Sequence, residues 1–120
     1  MEFGVEAVRS GTQAVLSVWG EVDAHTAPRM REKILSLVVE GVDRLVIDLT
    51  RVSFMDSSGL GTIVAAKKRL QVGDKSLCLV LGPDQTMMHR LFDITGLNQV
   101  LPIHDSVDAA VEDCLSDPAA

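Results

Sequence analysis

The sequence predicts an α/β domain: a mixed, mostly parallel β-sheet opened by an N-terminal hairpin and covered by about four helices. Short aliphatic runs, Leu45-Val46-Ile47-Asp48-Leu49 and Leu77-Cys78-Leu79-Val80-Leu81, alternate with stretches whose apolar residues recur at helical spacing. Strand–helix–strand repeats of this kind pair in parallel through crossovers of one hand. Near the start, Ser10-Gly11-Thr12 separates two extended segments and has the composition of a hairpin turn. Hydrophobic residues make up 47% of the chain but aromatics only 3%. The core must therefore be aliphatic, which suits Val/Ile/Leu strands under amphipathic helices. At 120 residues the chain fits one domain spanning 1–120.

The elements follow in order. Phe3 to Arg9 and Ala14 to Gly20 read as the two hairpin strands. Met30, Ile34, Leu37 and Val38 share one face of a first helix, with Pro28 in its first turn, where a missing N–H costs little, and Gly41 as its C-cap. Leu45 to Leu49 is a buried strand, and Thr50 to Asp56 reads as a connecting loop. A second helix begins at Ser57 or Ser58, carries Leu60, Ile63, Val64 and Leu70, and ends near Gly73. Leu77 to Leu81 is the next buried strand. Gly82-Pro83 opens a third helix with Met87, Met88, Leu91 and Phe92, closed by Gly96. Gln99 to Leu101 reads as a last short strand. Asp105 or Ser106 caps a final helix holding Val107, Ala110, Val111 and Leu115, and Ser116 to Ala120 fray.

Composition argues against several functions. A net charge of −6 lacks the basic face that a phosphate-backbone binder needs, and Lys67-Lys68-Arg69 reads as a solvated helix face. No direct nucleic-acid partner is expected. Cys78 and Cys114 belong to no CxxC pair and read as reduced, mostly structural thiols. With no secretion signal and no apolar run near the length of a membrane span, a cytoplasmic protein without a membrane partner is expected. His25, His89 and His104 are widely separated and read as lone surface histidines, so a metal site is unsupported. GxGxxG, the Walker loop and a GxSxG elbow are absent, and neither a cofactor nor independent catalysis is expected.

The informative stretch is Val52-Ser53-Phe54-Met55-Asp56-Ser57-Ser58-Gly59-Leu60-Gly61, where a strand gives way to a helix. Asp56, Ser57 and Ser58 are all preferred N-cap residues, and one cap contributes ~1 kcal/mol. That accounts for one of them, not for two adjacent hydroxyls. The loop after a parallel strand is also the usual binding edge of such a sheet. A phosphate on a hydroxyl there would be tolerated by the helix N-terminus, and its charge of about −1.5 to −2 would be felt by an incoming partner. Geometry leaves cap and switch both open, and does not separate Ser57 from Ser58.

Phe54 to Gly61 resembles the phosphorylation loop of the bacterial anti-sigma factor antagonists, which are STAS domains. Three further blocks carry the resemblance in the family's order and spacing. Gly20-Glu21-Val22-Asp23-Ala24-His25-Thr26-Ala27 resembles its G-E-x-D-x-x-T-A segment. Leu45 to Leu49 is similar to its central strand. Leu91-Phe92-Asp93-Ile94-Thr95-Gly96-Leu97 is similar to its L-F-x-x-x-G-L helix end.

The resemblance implies a mechanism. Unphosphorylated members bind an anti-sigma factor and free the sigma factor it held. That anti-sigma factor is often also an ATP-dependent serine kinase of the histidine-kinase-like ATPase fold. It modifies the first serine after the aspartate, here Ser57, and a metal-dependent serine phosphatase resets the switch. Ser58 would then be a neighbouring cap or contact. The implied partner-binding surface takes Glu21, Asp23, His25 and Thr26 from one loop, and Asp56, Ser57, Ser58, Gly59, Leu60 and Gly61 from the next. Ile63 and Val64 extend it along the helix, with Leu60 either an apolar anchor or core. The free protein is expected to be a monomer or weak dimer. Alternatives are a STAS interaction module without a switch, or a small nucleotide-binding protein.

Overall fold

The chain first reverses at Gly11, whose φ of 62° lies in the left-handed region that favours glycine. The computed structural model describes residues 2–73 and 75–115. Gly11 folds β1 (Gly4–Ser10) antiparallel onto β2 (Gln13–Val22), the expected hairpin, with Gly4 opposite Trp19 and Ser10 opposite Gln13. There follow α1 (Ala27–Val39), β3 (Arg44–Met55), α2 (Ser57–Leu70), β4 (Ser76–Val80), α3 (Thr86–Thr95), a short 3-10 turn (Leu97–Gln99), β5 (Ile103–His104) and α4 (Val107–Cys114). The sheet runs β1-β2-β3-β4-β5, parallel from β2 onward.

Because sequential parallel strands are also neighbours and crossovers keep one hand, the connecting helices gather on one face. Met30, Ile34 and Leu37 of α1, Ile63, Ala66 and Leu70 of α2, and Met88 and Phe92 of α3 share one core with Leu45, Ile47, Leu49, Leu77 and Leu79. Helix α4 covers the other face through a smaller cluster of Val46, Cys78, Val80, Ala110 and Cys114. This explains the continuous apolar runs: at the centre of the sheet, odd and even residues both meet a helix. Among the described residues no helix is long and apolar enough to cross a membrane.

Three boundaries correct the expectations. Thr50 to Met55 is not a loop but the second half of β3, still paired with β2 as Trp19 with Arg51, Gly20 with Val52, Glu21 with Phe54 and Val22 with Met55. Only Val52 and Met55 of this half reach the core. Its other residues are wholly or partly exposed, which hid the strand. Helix α3 starts at Thr86 rather than at Gly82-Pro83, because the Gln85 amide is occupied first. It accepts from the Gly82 N–H at 2.6 Å and donates to the carbonyls of Leu49 and Val52 at 2.9 and 3.0 Å. The last strand is Ile103–His104, not Gln99 to Leu101; the latter region is a tight turn that buries Leu97 and Leu101.

Gly41 lies just past α1 with φ 99°, and Gly96 closes α3 with φ 77°, both as expected. Ser106 is the cap of α4, its Oγ accepting from the Ala109 N–H at 3.1 Å. The expected fraying of residues 116–120 lies outside the described residues.

Candidate functional site

Val22 and Met55 are the last paired residues of neighbouring parallel strands, so the two loops that follow leave the sheet side by side. The Asp56 N–H donates to the Val22 carbonyl at 3.1 Å and ties them together. The segment from Asp23 to Thr26 and the start of α2 therefore share one edge, as expected.

Asp56 is the N-cap of α2. Its Oδ1 accepts from the Ser58 N–H at 2.8 Å, and its carbonyl accepts from the Leu60 N–H at 3.2 Å. With the cap supplied by Asp56, neither serine hydroxyl is needed for it. Ser57, the first helical residue, is exposed, and among the described residues its side chain takes no hydrogen bond. Ser58 is half-buried and lines a shallow groove of about 230 Å³ between α1 and α2 with Ala24, Ala27, Pro28, Arg31 and Thr62. The two serines, equivalent in the sequence, differ in access.

The neighbouring loop is held by Asp23. Its Oδ1 accepts from the His25 and Thr26 N–H groups at 2.9 and 3.1 Å. The amides of Thr26 and then His25 hold the carboxyl below the ordinary aspartate value. The Thr26 hydroxyl accepts from the Asp23 N–H at 3.0 Å and donates to the Glu21 carbonyl at 2.7 Å. Thr26 thus knits the loop rather than capping α1 with its side chain. Glu21 and His25 are exposed; Asp23 and Thr26 are partly so.

Two implied surface residues are placed elsewhere. Ile63 is 0% exposed and belongs to the core, because the helical face that carries it lies against the sheet. Gly59 is buried too. A Cβ there would come within 2.6 Å of Met55 Cγ and 2.8 Å of Val22 Cγ1, so its glycine permits close packing rather than access to Ser57. Leu60 and Val64 are half-buried against the core, and Gly61 is exposed.

The histidines also correct the sequence reading. Only His25 is exposed. His89 Nε2 donates to the Gly82 carbonyl at 3.0 Å, and His104 Nε2 lies 3.0 Å from Asp113 Oδ2. Among the described residues none hydrogen-bonds Ser57 or Ser58.

Sequence reasoning missed one surface. Phe54 and Met87 are 45% and 79% exposed and, with Ser53, Met55, Met88 and Leu91, line an apolar groove of about 270 Å³ between the end of β3 and α3. The adjacent Met87-Met88 pair was the available signal: two neighbouring residues of a helix cannot both face the core.

Comparison with known proteins agrees with this layout. The family model described as the STAS domain matches residues 5–110. An anti-sigma-B factor antagonist of Listeria monocytogenes is 41% identical over 105 residues, covering 86% of this chain and 90% of that protein. The crystal structure of an anti-sigma factor antagonist from Mycobacterium paratuberculosis superposes with a TM-score of 0.84 at 28% identity, covering 96% of each chain. That of the anti-sigma factor antagonist SpoIIAA in its unphosphorylated form gives 0.69 at 26% identity, covering 93% of this chain and 96% of that one.

Proposed function

The chain belongs to the STAS-domain family of anti-sigma factor antagonists, and from that premise we propose that it binds an anti-sigma factor and that phosphorylation of Ser57 switches the binding off. The partner is an anti-sigma factor that doubles as a serine kinase of the histidine-kinase-like ATPase fold, and a metal-dependent phosphatase reverses its action. The protein itself is substrate and ligand in this cycle, not enzyme. One observation carries the choice of residue: Ser57 is exposed at the first position of α2 and, among the described residues, its hydroxyl has no hydrogen-bond partner, while Asp56 already supplies the cap. A structural neighbour described by its phosphorylation state supports the same kind of modification.

The proposed footprint takes Glu21, Asp23, His25 and Thr26 from the loop beside Ser57 and Leu60, Gly61 and Val64 along α2, with Phe54 and Met87 as exposed apolar residues at the same end of the sheet. A phosphate at its centre adds about −1.5 to −2 charge beside Asp56 and must be desolvated when the partner docks. To weaken binding 100-fold this must cost the complex about 2.7 kcal/mol.

The test incubates the protein with a cognate anti-sigma kinase and Mg-ATP and follows intact mass. Wild type and Ser58→Ala gain one phosphate, Ser57→Ala gains none, and Ser57→Asp binds the kinase at least tenfold more weakly. Phosphorylation of Ser57→Ala at the wild-type rate, or equal affinity of wild type and Ser57→Asp, would refute the proposal.

A further inference from the structure

The last strand and last helix bring together three metal-binding side chains that lie far apart in sequence. Cys78 is on β4, His104 on β5 and Asp113 on α4, and one donor atom from each lies within 4.8 Å of the others. We propose that this corner is a binding site for a thiophilic divalent cation of the zinc type, held by the Cys78 sulfur, a ring nitrogen of His104 and a carboxylate oxygen of Asp113.

The donor set decides the class of ion. Thiolate with imidazole selects zinc-like metals over calcium or magnesium, which take oxygen donors. The spacing is close to what such an ion needs. With zinc bonds of about 2.0–2.3 Å, donors at the corners of a tetrahedron stand about 3.3–3.6 Å apart. His104 Nε2 and Asp113 Oδ2 are already 3.0 Å apart, so the adjustment falls on the approach of the Cys78 sulfur. Binding replaces protons by the ion: the Cys78 S–H bond breaks, its proton passes to water and the sulfur bonds to the metal, while the His104 Nε2–H that faces Asp113 is given up, to water from an imidazolium or to Nδ1 from the neutral ring, so that the nitrogen lone pair can bind.

Exposure grades across the site in a way that fits entry of an ion. Cys78 is 3% exposed, while the side chains of His104 and Asp113 are 21% and 61% exposed. Three protein donors leave a fourth position for water, open on the Asp113 side. Cys114, the next residue after Asp113, is hydrogen-bonded to the Cys78 thiol but is not one of the three grouped donors. Its sulfur also lies 3.4 Å from Ser76 Oγ and 3.7 Å from the Leu45 carbonyl. The three donors come from three separate elements, so the ion would fasten α4 to the sheet, a helix of eight residues otherwise held by a small cluster. This site is independent of the Ser57 switch.

The test strips the full chain with a chelator, titrates it with Zn2+ by calorimetry, and then with Co2+ by absorption. One equivalent binds with micromolar or tighter affinity, Tm rises with added Zn2+, and Co2+ gives a near-ultraviolet thiolate charge-transfer band. Cys78→Ser abolishes that band. Because Cys78 is buried and its replacement can unfold the domain, His104→Ala and Asp113→Asn are tested too, and each weakens Zn2+ by about tenfold or more. His25→Ala leaves binding unchanged. No saturable one-to-one binding, affinity retained in both His104→Ala and Asp113→Asn, or a Co2+ band that is lost with Cys114→Ser but kept with Cys78→Ser overturns the proposal.

Discussion

Gly59 and Gly61 stand two residues apart at the start of α2, and the same substitution is expected to act on them with opposite sign. A Cβ at Gly59 would meet Met55 Cγ at 2.6 Å and Val22 Cγ1 at 2.8 Å. Carbon atoms pack best at about 3.5–4.0 Å, so close to 1 Å must be found between two residues that are 5% and 0% exposed. An extra methyl forced into a packed core costs about 1–3 kcal/mol. Alanine returns up to about 1 kcal/mol through helix propensity, which leaves Gly59→Ala destabilised by about 1 kcal/mol. At Gly61 the added Cβ meets nothing within 4 Å. There the propensity gain stands alone, and Gly61→Ala is more stable by about 0.8–1 kcal/mol. The two variants end about 2 kcal/mol apart in equilibrium urea unfolding at unchanged m. The Gly59→Ala strain also presses on the last paired residues of β2 and β3, from which both site loops depart, so partner binding falls in that variant. A Gly59→Ala protein as stable as wild type would show that Met55 swings aside freely, and that close packing is not what keeps a glycine there.

Three further outcomes follow from the same geometry. Ile63→Ala, a core truncation at 0% exposure, lowers stability by about 2–5 kcal/mol in urea unfolding; a loss below 0.5 kcal/mol would return Ile63 to the surface. Asp56→Ala removes the N-cap and costs about 1 kcal/mol, whereas Ser57→Ala stays within about 0.5 kcal/mol of wild type, both read from the same unfolding curves. Amides of Thr26 and His25 lower the Asp23 pKa, so the folded loop favours the charged carboxylate; its contribution is present above the unfolded value and is lost as pH falls through the lower folded one. Protection of the His25 and Thr26 amides against hydrogen exchange, taken relative to the intrinsic rate at each pH, should therefore fall in acid below the ordinary aspartate range, and Asp23→Asn should remove that transition.

What was legible in the chain was whatever a single residue's chemistry decides locally. Aliphatic runs announced β3 and β4, and the glycines at 41 and 96 announced two helix ends, since each takes a φ that other residues resist. What stayed hidden depended on partners distant in sequence. Thr50 to Met55 reads as a connecting loop until β2 is beside it. Gly82-Pro83 reads as a helix start until the Gln85 amide is seen to span from Gly82 to the β3 backbone. Leu60, Ile63 and Val64 share a helical face, but only the sheet beneath them determines that Ile63 is sealed while its neighbours stay half open. Likewise the set of Cys78, His104 and Asp113 has no sequence spacing to detect, because three elements bring it together.

The same local arrangement explains why a modification at Ser57 would act on a partner rather than on the domain. Among the described residues the hydroxyl holds no partner, so occupying it breaks no bond there. A phosphate there meets a helix N-terminus, an interaction worth typically 0.3–1 kcal/mol at an exposed site, and opposes it with repulsion from Asp56, the partly exposed cap of the same helix. These effects have opposite sign and similar size, and the basic residues of α2, Lys67, Lys68 and Arg69, lie in its last turn, at the far end of the helix. The folded state is therefore nearly indifferent to the tag. A docking partner has no such cancellation: it must strip water from the phosphate and from Asp56 together and accept two adjacent anions against its own surface. The roughly 2.7 kcal/mol needed for a 100-fold switch would then fall almost wholly on the complex, so that the proposed tag would invert the interaction without unfolding the protein that makes it.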